Sequence, residues 1–228
     1  MLTAIALVPS APVLVPELAG AAAGELTGLR SAIAAAVSAL PERWIAVGTG
    51  PADAAFVAPL TGTFAGYGVD VQVTLSPSEP ADPVALPLCA LIAAWVRGCY
   101  APHAAAEVRM FAADHDPDAA LERGRLLRAE IDEADGRIGV LVVADGCHTL
   151  TPAAPGGYDP DTIPVQAALD DALARGDAAA LTRVPTPVVG RVAYQVLAGL
   201  VGPAPATAEE FYRGAPYGVG YFAGLWRI

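Results

Sequence analysis

Ile138-Gly139-Val140-Leu141-Val142-Val143-Ala144 is an unbroken apolar run, and Asp145-Gly146-Cys147-His148 follows it directly. A short β-branched run without polar alternation is what a strand buried on both faces requires. Residues 2–8 and 44–48 read the same way, 106–112 is a further strand, and 69–75 alternates like one. Helices are expected between them over residues 18–40, 84–97 and 117–133, the last with Arg and Glu on its exposed face. After the run come helices near 162–175 and 188–200 and a closing strand over 217–226. This alternation predicts an α/β fold: one domain over residues 1–228, with a central, mostly parallel sheet and helices on both faces. In such folds ligands sit beyond the carboxyl ends of the strands. Three loops leave strand ends here: 9–16, the small-residue turn 48–53, and the Pro- and Gly-rich 145–161.

The chain has 228 residues, 54% of them hydrophobic, enough for one sizeable core. It contains no lysine, which excludes Schiff-base chemistry and a Walker-type phosphate loop. The formal net charge is -11 and the arginines are scattered singly, so no nucleic-acid partner is expected. Residues 84–96 form the longest apolar helical stretch, too short for a bilayer and interrupted by Pro87, so no membrane partner is expected either. The amino terminus lacks a basic region before its apolar segment and reaches Pro9 early, unlike a secretion signal. Cys89, Cys99 and Cys147 match no disulfide framework or zinc spacing. They read as reduced thiols, with Cys89 and Cys99 in the core, and a cytoplasmic location is expected.

Asp145-Gly146-Cys147-His148 places an acid, a thiol and an imidazole at the end of the clearest strand. His148 is a candidate acid or base, and Asp145 a residue that would orient it or bind a cation. The same four residues also suit a structural turn: Asp as a cap, Gly for the bend, His satisfied by backbone. Adjacent Cys and His do not suggest a nucleophile–base pair, which distant segments usually assemble. Asp114-His115-Asp116-Pro117 could contribute to a metal site, but Asp116 before Pro117 reads better as a helix cap. His103, after Pro102, reads as solvated.

Several segments together resemble the class III extradiol dioxygenase, or LigB-like, superfamily, which also includes the Memo-type proteins. Val8-Pro9-Ser10-Ala11-Pro12 resembles its opening strand and His-Pro-Pro loop, and 44–51 its second strand and Ser-Pro-His-Gly turn. Arg123-Gly124-Arg125-Leu126-Leu127 resembles the helix before the catalytic strand. Residues 140–152 resemble its Gly-Asp-Leu-Ser-His segment. Gly157-Tyr158-Asp159, residues 170–177 and Tyr217-Gly218-Val219-Gly220-Tyr221 continue the pattern in order. Enzymes of that family hold Fe(II) with two His and one Glu. Carried over by position, the first His falls on Ser10 and the second on Gly50 or neighbouring Thr49. Glu209 and Glu210 are the only glutamates in the last third, and no motif places either as the third ligand. The Memo-type cysteine falls near Val188 or Val189. Only the acid/base position keeps its residue, His148.

The resemblance therefore implies a relative without the family's Fe(II) site, and no metal or other cofactor is expected. The expected pocket comprises Ser10, Gly50 and Tyr158 as ligand contacts, with His148 and Asp145 as the acid/base pair. Tyr158 would hydrogen-bond a ligand or cap its loop. Three readings compete. The first is a non-dioxygenase that binds a small metabolite or presents its fold to a partner. The second is an enzyme, either with atypical metal ligands or as a metal-free acid/base catalyst. The third is an interaction module, by analogy with Memo-type proteins. The aromatic carboxyl-terminal segment would suit a homo-oligomer contact or plain core packing.

Overall fold

Seven strands form one mixed sheet, and its four parallel strands are the apolar runs at 2–8, 44–48 and 138–143 and the strand expected at 106–112. The computed structural model describes residues 1–202 and 207–228. In chain order the first half contains β1 (Leu2–Val8), α1 (Pro16–Ala19), α2 (Thr27–Val37), β2 (Arg43–Gly50), β3 (Ala54–Phe56), β4 (Thr61–Thr63), β5 (Gln72–Thr74) and α3 (Leu88–Tyr100). The second half contains β6 (Ala105–Ala112), α4 (Pro117–Glu133), β7 (Ile138–Val143), α5 (Thr162–Arg175), α6 (Ala178–Leu181), α7 (Arg191–Val201), β8 (Thr207–Gly214) and β9 (Tyr221–Arg227). The sheet order is β3-β6-β2-β7-β1-β9-β8. β6, β2, β7 and β1 run parallel, while β3, β9 and β8 join antiparallel at the flanks. The α/β class, the central, mostly parallel sheet and the flanking helices are as the sequence predicts.

Side chains alternate across each strand, so the two sheet faces have different cores. Ala6 and Val8 of β1 and Leu141 and Val143 of β7 pack with α2 and α3. Ile5, Leu7, Val140 and Val142 pack with α4, α5 and α7 on the other face. The chain thus leaves β1 toward one face and leaves β7, its parallel neighbour, toward the other. Divergent exits at adjacent parallel strands open a crevice at their carboxyl ends. β9 runs against β1, so its first residue, Tyr221, begins at that same edge.

Several local expectations are corrected. Residues 18–40 are not one helix: Gly20 takes a positive φ of 54° and Gly20–Gly24 forms a 3₁₀ turn before α2. Glycine is costly inside a helix and natural at such a break. Residues 48–50 are not a turn, because β2 continues to Gly50 in register with β6. Gly48 serves close approach instead, since a Cβ there would lie 2.3 Å from Cys89 Cβ. The strand expected over 69–75 is only Gln72–Thr74, paired with β4 in a separate ribbon. α3 starts at Leu88, with Pro87 as its cap, and Cys99 near its end is exposed rather than in the core. β3, β4 and β8 lie where no strand is expected from the sequence.

Candidate functional site

Asp145 leaves the sheet at the crevice between β1 and β7. The last rung of that pair is Ala144 N–H donating to Val8 O at 3.0 Å. One residue later, Ser10 N–H donates to Asp145 Oδ1 at 2.8 Å. Two distant segments then fix the loop. Gly190 N–H donates to Asp145 O at 2.8 Å and Val189 N–H to Gly146 O at 3.1 Å. Gly146 N–H donates to Gly220 O, and Gly220 N–H returns a bond to Cys147 O, both at 2.8 Å. The Cys147 amide donates to Gln166 Oε1 at 2.8 Å, and Gln166 Nε2 donates to Asp170 Oδ1 at 2.8 Å. Gly146 and Gly220 lie flat on the Gln166 amide, where added Cβ atoms would stand 2.1 and 2.2 Å from it. Behind the loop, the buried Tyr194 hydroxyl donates to Ala144 O at 3.1 Å.

Asp145 forms part of the floor of an open cleft of about 500 Å³. Pro12 and Val13 come from the loop after β1, Pro155 from the loop after β7, and Tyr217 and Tyr221 from the carboxyl-terminal segment. Asp145 keeps partial exposure at the cleft, while its carboxyl is enclosed enough that burial pushes its pKa up to about 7, against the lowering effect of the Ser10 amide. Oδ2 has no protein partner among the described residues. Burial, then the Asp145 charge, also pushes the Tyr221 phenol up. At the rim the Tyr217 hydroxyl donates to Glu25 Oε2 at 3.1 Å.

The expected site residues separate. Ser10 and Asp145 meet, but Ser10 contributes its backbone amide. Gly50 ends β2, and the space a side chain would need is filled by Met110, whose Sδ would lie 2.2 Å from a Cβ. His148 is exposed and lies against Gly156 of its own loop, where a Cβ would meet its ring at 2.6 Å. Tyr158 is 52% exposed and makes no side-chain hydrogen bond among the described residues, so it neither caps its loop nor faces the cleft. The structure leaves Gly50, His148 and Tyr158 outside the cleft lining. Cys147 is buried, and burial, followed by the charges of Asp170 and Asp159, pushes its thiol up to about 11, far from a thiolate nucleophile. Tyr217, Tyr221 and Gln166 are site residues that the sequence does not single out. The first two are legible there only as part of a carboxyl-terminal motif.

The second sequence candidate is structural. Asp116 caps α4 by accepting from Ala119 N–H at 2.8 Å. His115 Nε2 pairs instead with Asp53 Oδ1 at 2.7 Å, and Arg123 contacts Asp53 Oδ2 at 2.9 Å. Glu209 and Glu210 pair with Arg227 and Arg213 on β8 and β9. Among the described residues no three His, Cys, Asp or Glu side chains are grouped to hold a metal ion. The iron set that the sequence resemblance would require does not fit: a hydroxyl stands at Ser10, and Met110 occupies the space at Gly50.

No protein-family model matches the chain, and no curated protein matches it. Among solved structures, the uncharacterized protein JW3007 from Escherichia coli K12 aligns over 98% of this chain and 99% of its own, with a TM-score of 0.60 and 11% identity. A likeness at that identity shows a shared fold and nothing of activity.

Proposed function

We propose that this chain is a divergent relative of the class III extradiol dioxygenases that lacks their Fe(II) site and binds a small organic ligand in the cleft at Asp145. The observation that carries the reading is a carboxylate oxygen, Asp145 Oδ2, left without a protein partner in an otherwise apolar cleft. Its place between two parallel strands with divergent exits is where α/β folds bind ligands. Support for the kinship comes from the order of the quoted segments, three of which converge at this edge: the loop after β1, the loop after β7, and residues 217–221. The reading includes no nucleic-acid partner, which fits the net charge of -11. No described helix is long and apolar enough to cross a membrane. A cytoplasmic location suits the free thiols.

Metal analysis of protein purified without chelators tests the reading. Iron and zinc are expected far below one per chain; a stoichiometric metal lost in Asp145→Ala would refute it. A second reading, a metal-free acid/base enzyme, is favoured by the Asp145 carboxyl near pKa 7, where a general base works best at neutral pH. In that reading Asp145 is the acting group and His148, packed on Gly156, is not. Any activity found by substrate screening should then survive His148→Ala and be lost in Asp145→Asn. The reverse pattern would reject Asp145 as the base.

A further inference from the structure

The Asp145 cleft has an acid at its floor and no base on its walls; its other lining residues are Ala, Pro, Val and Tyr. No Arg or His lies within ion-pair distance of Asp145 among the described residues. The groups that face its carboxyl add no positive charge either. Tyr221 on β9 and Tyr194 on α7 both feel its charge, and Asp170 and Cys147 lie behind Tyr194. Glu25 at the rim adds a second carboxylate through Tyr217. Arg30 acts on the Tyr217 phenol, is tied to Ala23 O, and does not line the cleft.

We propose that the cleft selects a small organic ammonium ion, with its nitrogen on Asp145 Oδ2 and its apolar body between Pro12, Pro155 and the rings of Tyr217 and Tyr221. This deepens the reading of the cleft as a ligand site and rests on it. An enclosed carboxylate is costly unless a countercharge meets it, and the protein supplies none. A carboxylate or phosphate ligand would meet Asp145 as a like charge. A neutral hydroxyl could bond to Oδ2, but a charge-assisted bond is about twice as strong. Tyrosine faces attract cations and accept apolar groups equally well. The surface charge of -11 raises the local concentration of cations and lowers that of anions.

An ammonium ion beside Asp145 must also favour its charged form. The carboxyl stands near pKa 7 when unliganded, so binding at about neutral pH expels part of a proton. A neutral ligand that accepts a hydrogen bond from the protonated acid would do the opposite.

Three probes share one apolar body: phenethylamine, phenethyl alcohol and phenylacetate. Each is titrated into the whole protein near pH 7, following the amide resonances of Asp145 and Tyr221, with calorimetry in two buffers to count protons. Phenethylamine is expected to bind at least about tenfold tighter than the alcohol, with phenylacetate weakest, and to release protons. In Asp145→Asn, which keeps an acceptor for the Ser10 amide, the amine preference should vanish. Should that variant fail to fold, Tyr217→Leu at the rim should weaken both the amine and the alcohol, the amine by about threefold more; equal losses for the two overturn the ammonium preference. Equal or tighter binding of the alcohol or phenylacetate, with the same resonances shifting, overturns the ammonium preference but leaves the ligand cleft standing. If no probe shifts those resonances at millimolar concentration, both are overturned.

Discussion

Replacing Asp145 by Asn should stabilise the protein, and only at higher pH. In the fold the carboxyl is raised from 3.8 to about 7 by burial. A raised carboxylate makes the folded state hold its proton more tightly than the unfolded chain does. Stability is therefore undisturbed below about pH 4, falls as pH rises between the two values, and is lowest above pH 7. At about 1.4 kcal/mol per pH unit, the displacement costs the folded protein roughly 4 kcal/mol at pH 8. Partial exposure at the cleft makes this an upper bound. Asn cannot ionise, and its Oδ1 can still accept the Ser10 amide that Asp145 accepts at 2.8 Å. Urea denaturation of both proteins should show the Asp145→Asn variant ahead by roughly 2–4 kcal/mol at about pH 8, with the gap closing near pH 4. Asp170, also raised, to about 6, bends both curves alike and cancels in the difference. A gap of the same size at both pH values would refute the reasoning, because a packing effect does not titrate.

Gln166→Leu should cost roughly 2–4 kcal/mol, since it orphans the Cys147 amide and removes the donor to buried Asp170; urea midpoints measure it, and a loss under about 0.5 kcal/mol would mean that Gln166 does not hold the loop. Gly124→Ala should cost about 2–3 kcal/mol or more. Its Cβ would stand 2.1 Å from Val196 O, a backbone atom of α7 that cannot swing aside; an unchanged thermal midpoint would contradict this packing. Asp53→Asn should cost under about 1 kcal/mol at neutral pH, because the Asp53 side chain is 34% exposed. There burial raises the carboxyl, but the Ala112 amide, His115 and Arg123 together outweigh it and hold the carboxyl low. Its stabilising share is present above the ordinary carboxylate range and lost as pH falls through the folded value, so Asp53→Asn and the parent protein should converge in acid melts.

The sheet was legible where its strands are buried on both faces. β1, β2 and β7 are largely apolar runs, as a covered parallel sheet requires, and β6 alternates buried residues with Glu107 and Arg109. β3 and β4 have only three residues each, and β8 carries Glu209, Glu210 and Arg213. Short and charged edge strands satisfy pairing without leaving a periodic signal. In the site, Asp145 was legible because an acid directly follows the strongest strand. His148 was misleading for the same reason: bonds from Cys147 to Gly220 and Gln166 have already set the chain's course before it, and the imidazole ends on Gly156. Tyr221 became a site residue only through the antiparallel seating of β9 beside β1, a long-range pairing that no local pattern encodes. Met110 in the place of a side chain at Gly50 is likewise a cross-strand fact.

Asp53 and Asp145 contrast a saturated carboxylate with an open one within one molecule. Both follow strands that end at the same edge of the sheet, β2 and β7. Asp53 is saturated: Oδ1 meets the Ala112 amide and His115, and Oδ2 meets Arg123. Its carboxyl is held low and it helps the fold. Asp145 has one amide on Oδ1 and an open Oδ2, and its charge works against the fold. The surrounding loop is not loosely made, for the Gly146 and Cys147 amides and the Asp145, Gly146 and Cys147 carbonyls all have partners. A scaffold that satisfies these neighbours while leaving one carboxylate oxygen open is what the proposed ligand site requires. If Asp145 were only a turn residue, Asn or Ser could cap the same bend at lower cost. The stability measurement on Asp145→Asn and the ammonium titration therefore bear on one question: what the open oxygen costs the fold, and what it gains when a cation arrives.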